Sequence, residues 1–264
     1  MSESEASEFQ FSATYPDLVG RVAVVTGGSR GLGAATAMAL AANEVAVAVT
    51  GRDEVAISSV VEAITRNGGR SIGVSADCTN ADDLEVLHNR VNHQLGPVDI
   101  LVVFAGGNGM PVPTRDETVQ HWREVIETDL TSTFLTITEF LSDMVSQHSG
   151  SIITMSSAAA RQAARSSAAY AAAKAGVIAF SRHLAGEFAS EGIRVNCIAP
   201  SAIENDHMRS WVPEEQRQAL AAAFPLGRLG QPRDVAAATL FLASSASSWI
   251  TGVTLDIAGG KVML

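Results

Sequence analysis

VAVVTGGSRGLGAATAMALAA, residues 22–42, decides how the rest of the chain is read. Val22 to Thr26 is an unbroken run of β-branched and small apolar residues, the pattern of a strand buried on both faces. Gly27, Gly28, Gly31 and Gly33 follow at once, and the alanine-rich segment Gly31–Ala42 is a good helix former. A strand, a glycine turn and a helix in immediate succession open a βαβ unit.

Outward from this unit the same alternation continues. Further strands are predicted at Val45–Thr50, Ser71–Ser75, Ile100–Phe104, Ser151–Met155 and Arg194–Ile198, with a seventh at Val253–Ile257. Helices are predicted at Gly31–Ala42, Glu54–Asn67, Ala81–Leu95, Val119–Gln147, Ser167–Ala189 and Pro232–Ser244. The fold class is therefore α/β, a doubly wound parallel sheet of about seven strands with helices on both faces. In open sheets of this kind ligands bind beyond the C-terminal ends of the strands, so residues just after each strand are the candidates.

The 264-residue chain is 47% hydrophobic, enough for one large domain, assigned to residues 18–264. Residues 1–17 show no apolar period and read as a flexible acidic leader. Cys78 and Cys197 are too few for a disulfide framework and are expected to be reduced core thiols. No apolar run approaches the roughly 20 residues that span a bilayer, and the N-terminus is acidic rather than basic-then-apolar, so a cytoplasmic protein is expected. A formal net charge of −10 without a dense basic cluster argues against nucleic acid and leaves a small molecule as the expected partner.

The glycine turn points to a dinucleotide. Small residues at Gly27, Gly28, Ser29, Gly31 and Gly33 let backbone approach a pyrophosphate, and the N-terminus of the next helix offers free N–H groups. An ordinary glycine-rich turn competes on spacing alone, but the flanking strand and helix favour the dinucleotide. At the end of the second strand stands Thr50-Gly51-Arg52. Arg52, with Arg30, supplies two cations for a 2′-phosphate, which favours NADP, with NAD as the alternative. Arg52 capping or solvating a helix start, beside Asp53 as N-cap, is the competing reading. Asp77, after the third strand, suits an adenine amino group, or is itself a helix N-cap.

The candidate chemistry lies in the second half. Tyr170 and Lys174 are one helical turn apart on one face, and Ser157 follows the fifth strand. A free phenol, with a pKa near 10, needs a neighbouring positive charge to exchange protons at neutral pH, and Lys174 would supply it. Ser157 would orient the substrate oxygen, and Lys174 would also hold the nicotinamide ribose. Alone, Tyr-x-x-x-Lys is weak; the glycine turn and Ser157 give it weight. No metal enters this reading.

Taken together, Thr26-Gly27-x-x-x-Gly31-x-Gly33, Ser157 and Tyr170-x-x-x-Lys174 resemble the short-chain dehydrogenase/reductase family, from about Val19 to the C-terminus. The nearest subgroup looks like the β-ketoacyl carrier-protein reductases, which also contains sugar, polyol and ketone dehydrogenases. The resemblance implies a single Rossmann-type domain with hydride transfer from a nicotinamide. Tyr170 is then the general acid in reduction, and Asp129 stands where the family's catalytic asparagine supports a water in the proton relay. It further implies cofactor contacts from Gly27, Ser29, Arg30, Gly31, Leu32, Gly33, Arg52, Asp77, Cys78, Ala105, Gly106, Tyr170, Lys174, Pro200 and Ile203. A homotetramer and a mobile substrate lid over about 201–224, carrying Met208, Trp211 and Phe224, are implied too.

Departures from the family's pattern bear on both sites. Val103-Phe104-Ala105-Gly106 replaces two asparagines, Asp129 replaces one, Ser201 follows Pro200 in place of glycine, and Asn205 stands for a threonine. His148 and Glu191 occupy positions where carrier-protein reductases have arginines that attract an acidic carrier. The expected activity is therefore NADP-dependent interconversion of a small-molecule ketone and a secondary alcohol. The alternatives are a 3-oxoacyl-carrier-protein reductase, NAD-dependent alcohol oxidation, and a non-catalytic cofactor-binding regulator or scaffold.

Overall fold

The computed structural model describes residues 13–107 and 109–263. Its elements, in chain order, are β1 (Val22–Thr26), α1 (Gly31–Ala42), β2 (Ala46–Gly51), α2 (Glu54–Arg66), β3 (Ser71–Ser75), α3 (Ala81–Gln94) and β4 (Ile100–Val103). There follow α4 (Val119–Ile126), α5 (Ser132–Gln147), β5 (Gly150–Met155), α6 (Ala168–Phe188) and β6 (Ile193–Pro200). The chain closes with α7 (Asp206–Trp211), α8 (Glu214–Ala221), α9 (Pro232–Ala243) and β7 (Thr254–Ile257). The strands form one parallel sheet in the order β3-β2-β1-β4-β5-β6-β7, so the expected doubly wound α/β architecture is present, with strand ends moved by one or two residues.

Alternation along the strands builds a core on each face. Ala23, Val25, Val47, Val49, Val102 and Ile153 point to the side covered by α1 and α9, where Leu40, Val235 and Leu240 are fully buried. Val22, Val24, Ala48, Leu101, Val103 and Ile152 point to the other side, against Leu84 and Leu87 of α3 and Ile137, Phe140 and Met144 of α5. Among the described residues no helix is long and apolar enough to cross a membrane.

Four features depart from the sequence reading. The helix expected over Val119–Gln147 is interrupted by a π-helical segment, Glu127–Thr131, which leaves Asp129 wholly buried. Two short helices, α7 and α8, occupy the stretch read as a lid loop. Asn80 rather than Asp77 caps α3, accepting from Asp82 N–H at 2.9 Å. Of the leader, residues 1–12 lie outside the described residues, but Tyr15 N–H donates to Asn43 Oδ1 at 2.8 Å and Asp17 accepts from Ser245 N–H at 2.7 Å. Tyr15 and Asp17 thus pack on the domain that the sequence reading started at residue 18. Cys78 and Cys197 are free and buried, as expected of core thiols.

Candidate active site

The strand order reverses between β1 and β4, and a cleft of about 740 Å³ opens there beyond the strand ends. Gly27, Ser29, Arg30, Arg52, Asp77, Cys78, Ala105 and Gly106 line it. Thr26 Oγ1 accepts from the N–H groups of Phe104 and Ala105, both at 3.1 Å, which binds the two strand ends that make its floor. The turn tolerates nothing larger than glycine at its tightest point: a Cβ on Gly33 would lie 2.1 Å from Gly27 O. Gly31, at φ +53°, instead faces open space. No side chain caps α1, and the N–H groups of Gly31, Leu32 and Gly33 have no hydrogen-bond partner among the described residues. They are the free donors a diphosphate requires.

At the outer end of the cleft, Asp77 Oδ1 accepts from the N–H and hydroxyl of Thr79 at 2.9 and 2.8 Å. Those bonds hold its carboxyl below the usual carboxylate range, with Arg52 adding to the effect against slight burial. Arg52 is exposed. Arg30 is exposed too, but its Nη2 donates to Asp53 Oδ2. Asp53 also caps α2, accepting from Ala56 N–H at 3.0 Å, so the cap and the ion pair belong to one carboxylate. The sequence reading named Asp53 only as a cap. Its pairing with Arg30 depends on β1 and β2 lying side by side, which spacing along the chain does not display.

The second group of candidates surrounds α6. Ser167 caps that helix, accepting from Tyr170 N–H at 3.2 Å, and Ser156 Oγ donates to Lys174 O at 2.7 Å, fixing the helix to the end of β5. Ser157 comes next on the chain; its Oγ accepts from Ala159 N–H at 3.2 Å, leaving its own hydrogen to donate. Lys174 Nζ is nearly buried, 5.7 Å from the centre of the Tyr170 ring, and donates to Met155 O at 3.2 Å. It lies 3.1 Å from Asp129 Oδ1. Asp129 is therefore a direct counter-ion of Lys174, not a site one water removed from it. The same oxygen accepts from Gly107 N–H at 2.7 Å, and a Cβ on Gly106 would come within 2.6 Å of it. One buried carboxylate thus binds the lysine and the loop after β4. That loop crosses Tyr170, since a Cβ on Gly109 would sit 3.2 Å from the ring.

Other expected residues fall into place around these. Ile203 is buried and bridged to Gly230; Glu204 N–H donates to Gly230 O at 2.8 Å, and Ile203 N–H joins no backbone bond among the described residues. Pro200 ends β6. Neither Pro200 nor Ile203 lines the cleft at the β1 and β4 ends, nor do Ser157, Tyr170 and Lys174. Asn205 caps α7, accepting from Met208 N–H at 2.8 Å. Phe224 is buried beneath the C-terminal turn, under Lys261 Nζ at 5.1 Å, and so is not presented to a substrate as the lid reading supposed. His148 Nδ1 and Glu191 Oε2 are 3.0 Å apart. The Cys78 thiol is pushed up to about 11 by burial.

Two anchors were missed by sequence reasoning. Arg161 holds Asp256 with two hydrogen bonds of 3.0 Å, tying the segment after Ser157 to β7. Glu117, nearly buried, accepts from Ala169 N–H at 3.3 Å in the first turn of α6. Among the described residues no group of three His, Cys, Asp or Glu is placed to hold a metal ion.

The chain is similar to several known proteins. A family model described as enoyl-(acyl carrier protein) reductase matches residues 27–261. The 3-oxoacyl-(acyl-carrier-protein) reductase FabG of Vibrio cholerae is 39% identical over 253 residues, 94% of this chain and 100% of that protein. The cis-4-hydroxycyclohexanecarboxylate dehydrogenase of Sinomonas cyclohexanicum is 39% identical over 240 residues, 91% of this chain and 96% of that one. A 7α-hydroxysteroid dehydrogenase complexed with NADH and 7-oxo glycochenodeoxycholic acid superposes with TM-score 0.89 at 33% identity, over 97% and 99% of the two chains. An actinorhodin polyketide ketoreductase with NADPH superposes with TM-score 0.86 at 30% identity, over 91% and 97%.

Proposed function

Because the chain belongs to the short-chain dehydrogenase/reductase family of CH–OH oxidoreductases, we propose that it interconverts a small-molecule ketone and a secondary alcohol with NADP, using Tyr170 as the proton donor and acceptor. The observation that carries this reading is Lys174 Nζ buried 5.7 Å from the Tyr170 ring centre, on the helix that β5 delivers beside Ser157.

The nicotinamide cofactor, when bound, supplies or accepts the hydride. Gly27, Ser29, Gly31, Leu32 and Gly33 would hold its diphosphate, Asp77 and Cys78 would flank its adenine, and Arg30 and Arg52 would receive a 2′-phosphate. Ala105, Gly106, Pro200 and Ile203 would border the nicotinamide end of the cofactor. Tyr170 and Lys174 would hold the adjoining ribose. Ser157 donates its hydroxyl hydrogen to the substrate oxygen and turns it toward Tyr170. In reduction Tyr170 gives its phenolic proton to that oxygen as the carbonyl carbon becomes tetrahedral, and in oxidation it takes the proton back. The Lys174 ammonium stabilises the charge that develops on the phenolic oxygen, and Asp129 keeps the ammonium in place. The segment over about 201–224, apart from the buried Phe224, forms the substrate lid of the catalytic domain.

Relatives named for carrier-bound 3-oxoacyl substrates favour a second reading, reduction of an acyl chain on an acidic carrier. Against it, His148 and Glu191 pair with each other, and the chain carries a net charge of −10, so an acidic partner meets repulsion. A free small ketone fits better. A homotetramer in the cytoplasm is the assembly and location in keeping with this activity.

A ketone panel followed by NADPH absorbance tests the proposal. Tyr170→Phe should lower kcat by about 10²-fold or more while leaving NADPH binding within about twofold. Turnover unchanged in that variant overturns it.

A further inference from the structure

We propose that Asp53 is a specificity-determining residue that weakens the preference for the phosphorylated nicotinamide cofactor by occupying Arg30. The inference rests on the cofactor reading above and concerns a residue which that reading leaves aside.

The arrangement follows from two neighbouring strand ends. Arg30 leaves the turn after β1 at the start of α1, and Asp53 leaves the turn after β2 at the start of α2. Asp53 is not free to swing away, because Oδ1 accepts from Ala56 N–H at 3.0 Å as the cap of α2. Oδ2 is thereby fixed where Arg30 Nη2 reaches it. Both side chains stand on the rim of the cleft, and both line it together with Arg52. Their exposure, 71% for Arg30 and 42% for Asp53, keeps them within reach of an arriving ligand.

A 2′-phosphate entering this rim meets two cations and one fixed carboxylate. Arg30 must divide its donors between that carboxylate and the phosphate, so the phosphate receives less of the guanidinium than it would from an unpaired arginine. A ribose that bears a 2′-hydroxyl instead carries no charge and suffers no such penalty. Asp53 therefore lowers affinity for NADPH alone, and its effect runs through Arg30.

Fluorescence titration with NADPH and with NADH tests this on the full-length wild type, Asp53→Asn, Arg30→Ala and the double variant. Asparagine caps a helix as well as aspartate, so α2 and the fold are retained, which far-UV circular dichroism checks. Asp53→Asn should bind NADPH about two- to fivefold more tightly, the scale of an exposed ion pair, with a steeper loss of affinity as salt rises. NADH affinity should stay where it was, and the gain should vanish in the Arg30→Ala background. Unchanged NADPH affinity, an equal change for both cofactors, or a gain that survives Arg30→Ala overturns the proposal. A wild type that binds neither cofactor overturns the cofactor reading itself, and the proposal with it.

Discussion

Replacing Asp129 by leucine strips the Lys174 ammonium of a counter-ion 3.1 Å away, in a place where Asp129 is 0% and the lysine side chain 4% exposed. At that distance the attraction is about 5 kcal/mol for an effective dielectric of ~20, and desolvation of both ions offsets much of it. Removing one partner is a different matter, because the surviving charge stays buried; such changes cost about 3–5 kcal/mol. Leucine also takes an acceptor from Gly107 N–H at 2.7 Å. For a chain of this size the loss corresponds to a fall of roughly 6–20 °C in Tm. Urea denaturation at fixed protein concentration reads it directly. Lys174→Met in the same chain removes the orphaned ammonium, so the double variant should be more stable than the sum of the single losses implies, by about 2 kcal/mol or more. A loss below about 1 kcal/mol for Asp129→Leu, or strict additivity in the double variant, would refute the account of the pair.

Two further outcomes follow from titrating groups. Burial raises the Asp234 carboxyl, but Arg228 and the Gln231 N–H more than offset this and hold it below the usual range. A folded value below the unfolded one, about 3.9, means that the stabilisation is complete above that pH and is lost as pH falls through the folded value. Asp234→Asn should therefore lower stability at neutral pH by about 0.5–1 kcal/mol, given solvent screening, and flatten the acid limb of a stability–pH curve measured by urea denaturation. With the Cys78 thiol pushed up to about 11 and Cys197 raised by burial as well, neither should react with an aromatic disulfide reagent at pH 8 in the native state. Both should react once the chain is unfolded, and reaction in the native state would show that the packing around them opens readily.

What was legible in the sequence, and what was not, separates by the range of the interaction. The strands could be read because Val22–Thr26 and Ile100–Val103 are buried on both faces, and unbroken apolar runs have few other meanings. The glycine turn could be read because strand, turn and helix are consecutive. The π-helical segment could not, since one extra residue in a turn does not disturb the apolar period of α4 and α5 enough to be seen. The sign available was Asp129 itself, a carboxylate on the face that the period assigns to the core. α7 and α8 are too short to show a period, although Asn205 ahead of the first and Pro213 ahead of Glu214 are start signals. Tyr170 and Lys174 shared a helical face by spacing alone, but their counter-ion lies 45 residues before Lys174 in sequence and only the packed sheet brings it there. The same holds for Arg30 and Asp53, which stand on adjacent strand ends.

The strand order also sets a timetable. β1 to β4 are contiguous in the sheet, so a chain emerging from the ribosome can pair all four before β5 has been made. The lining of the cleft, from Gly27 to Ser132, is translated by the same moment. Ser157, Tyr170 and Lys174 arrive only with the second half. The cleft can thus take shape before the proposed proton donor is made, and Asp129 precedes the lysine that pairs with it. Docking of α6 closes that interval, because one helix carries both the missing cation and Tyr170, the proposed proton donor.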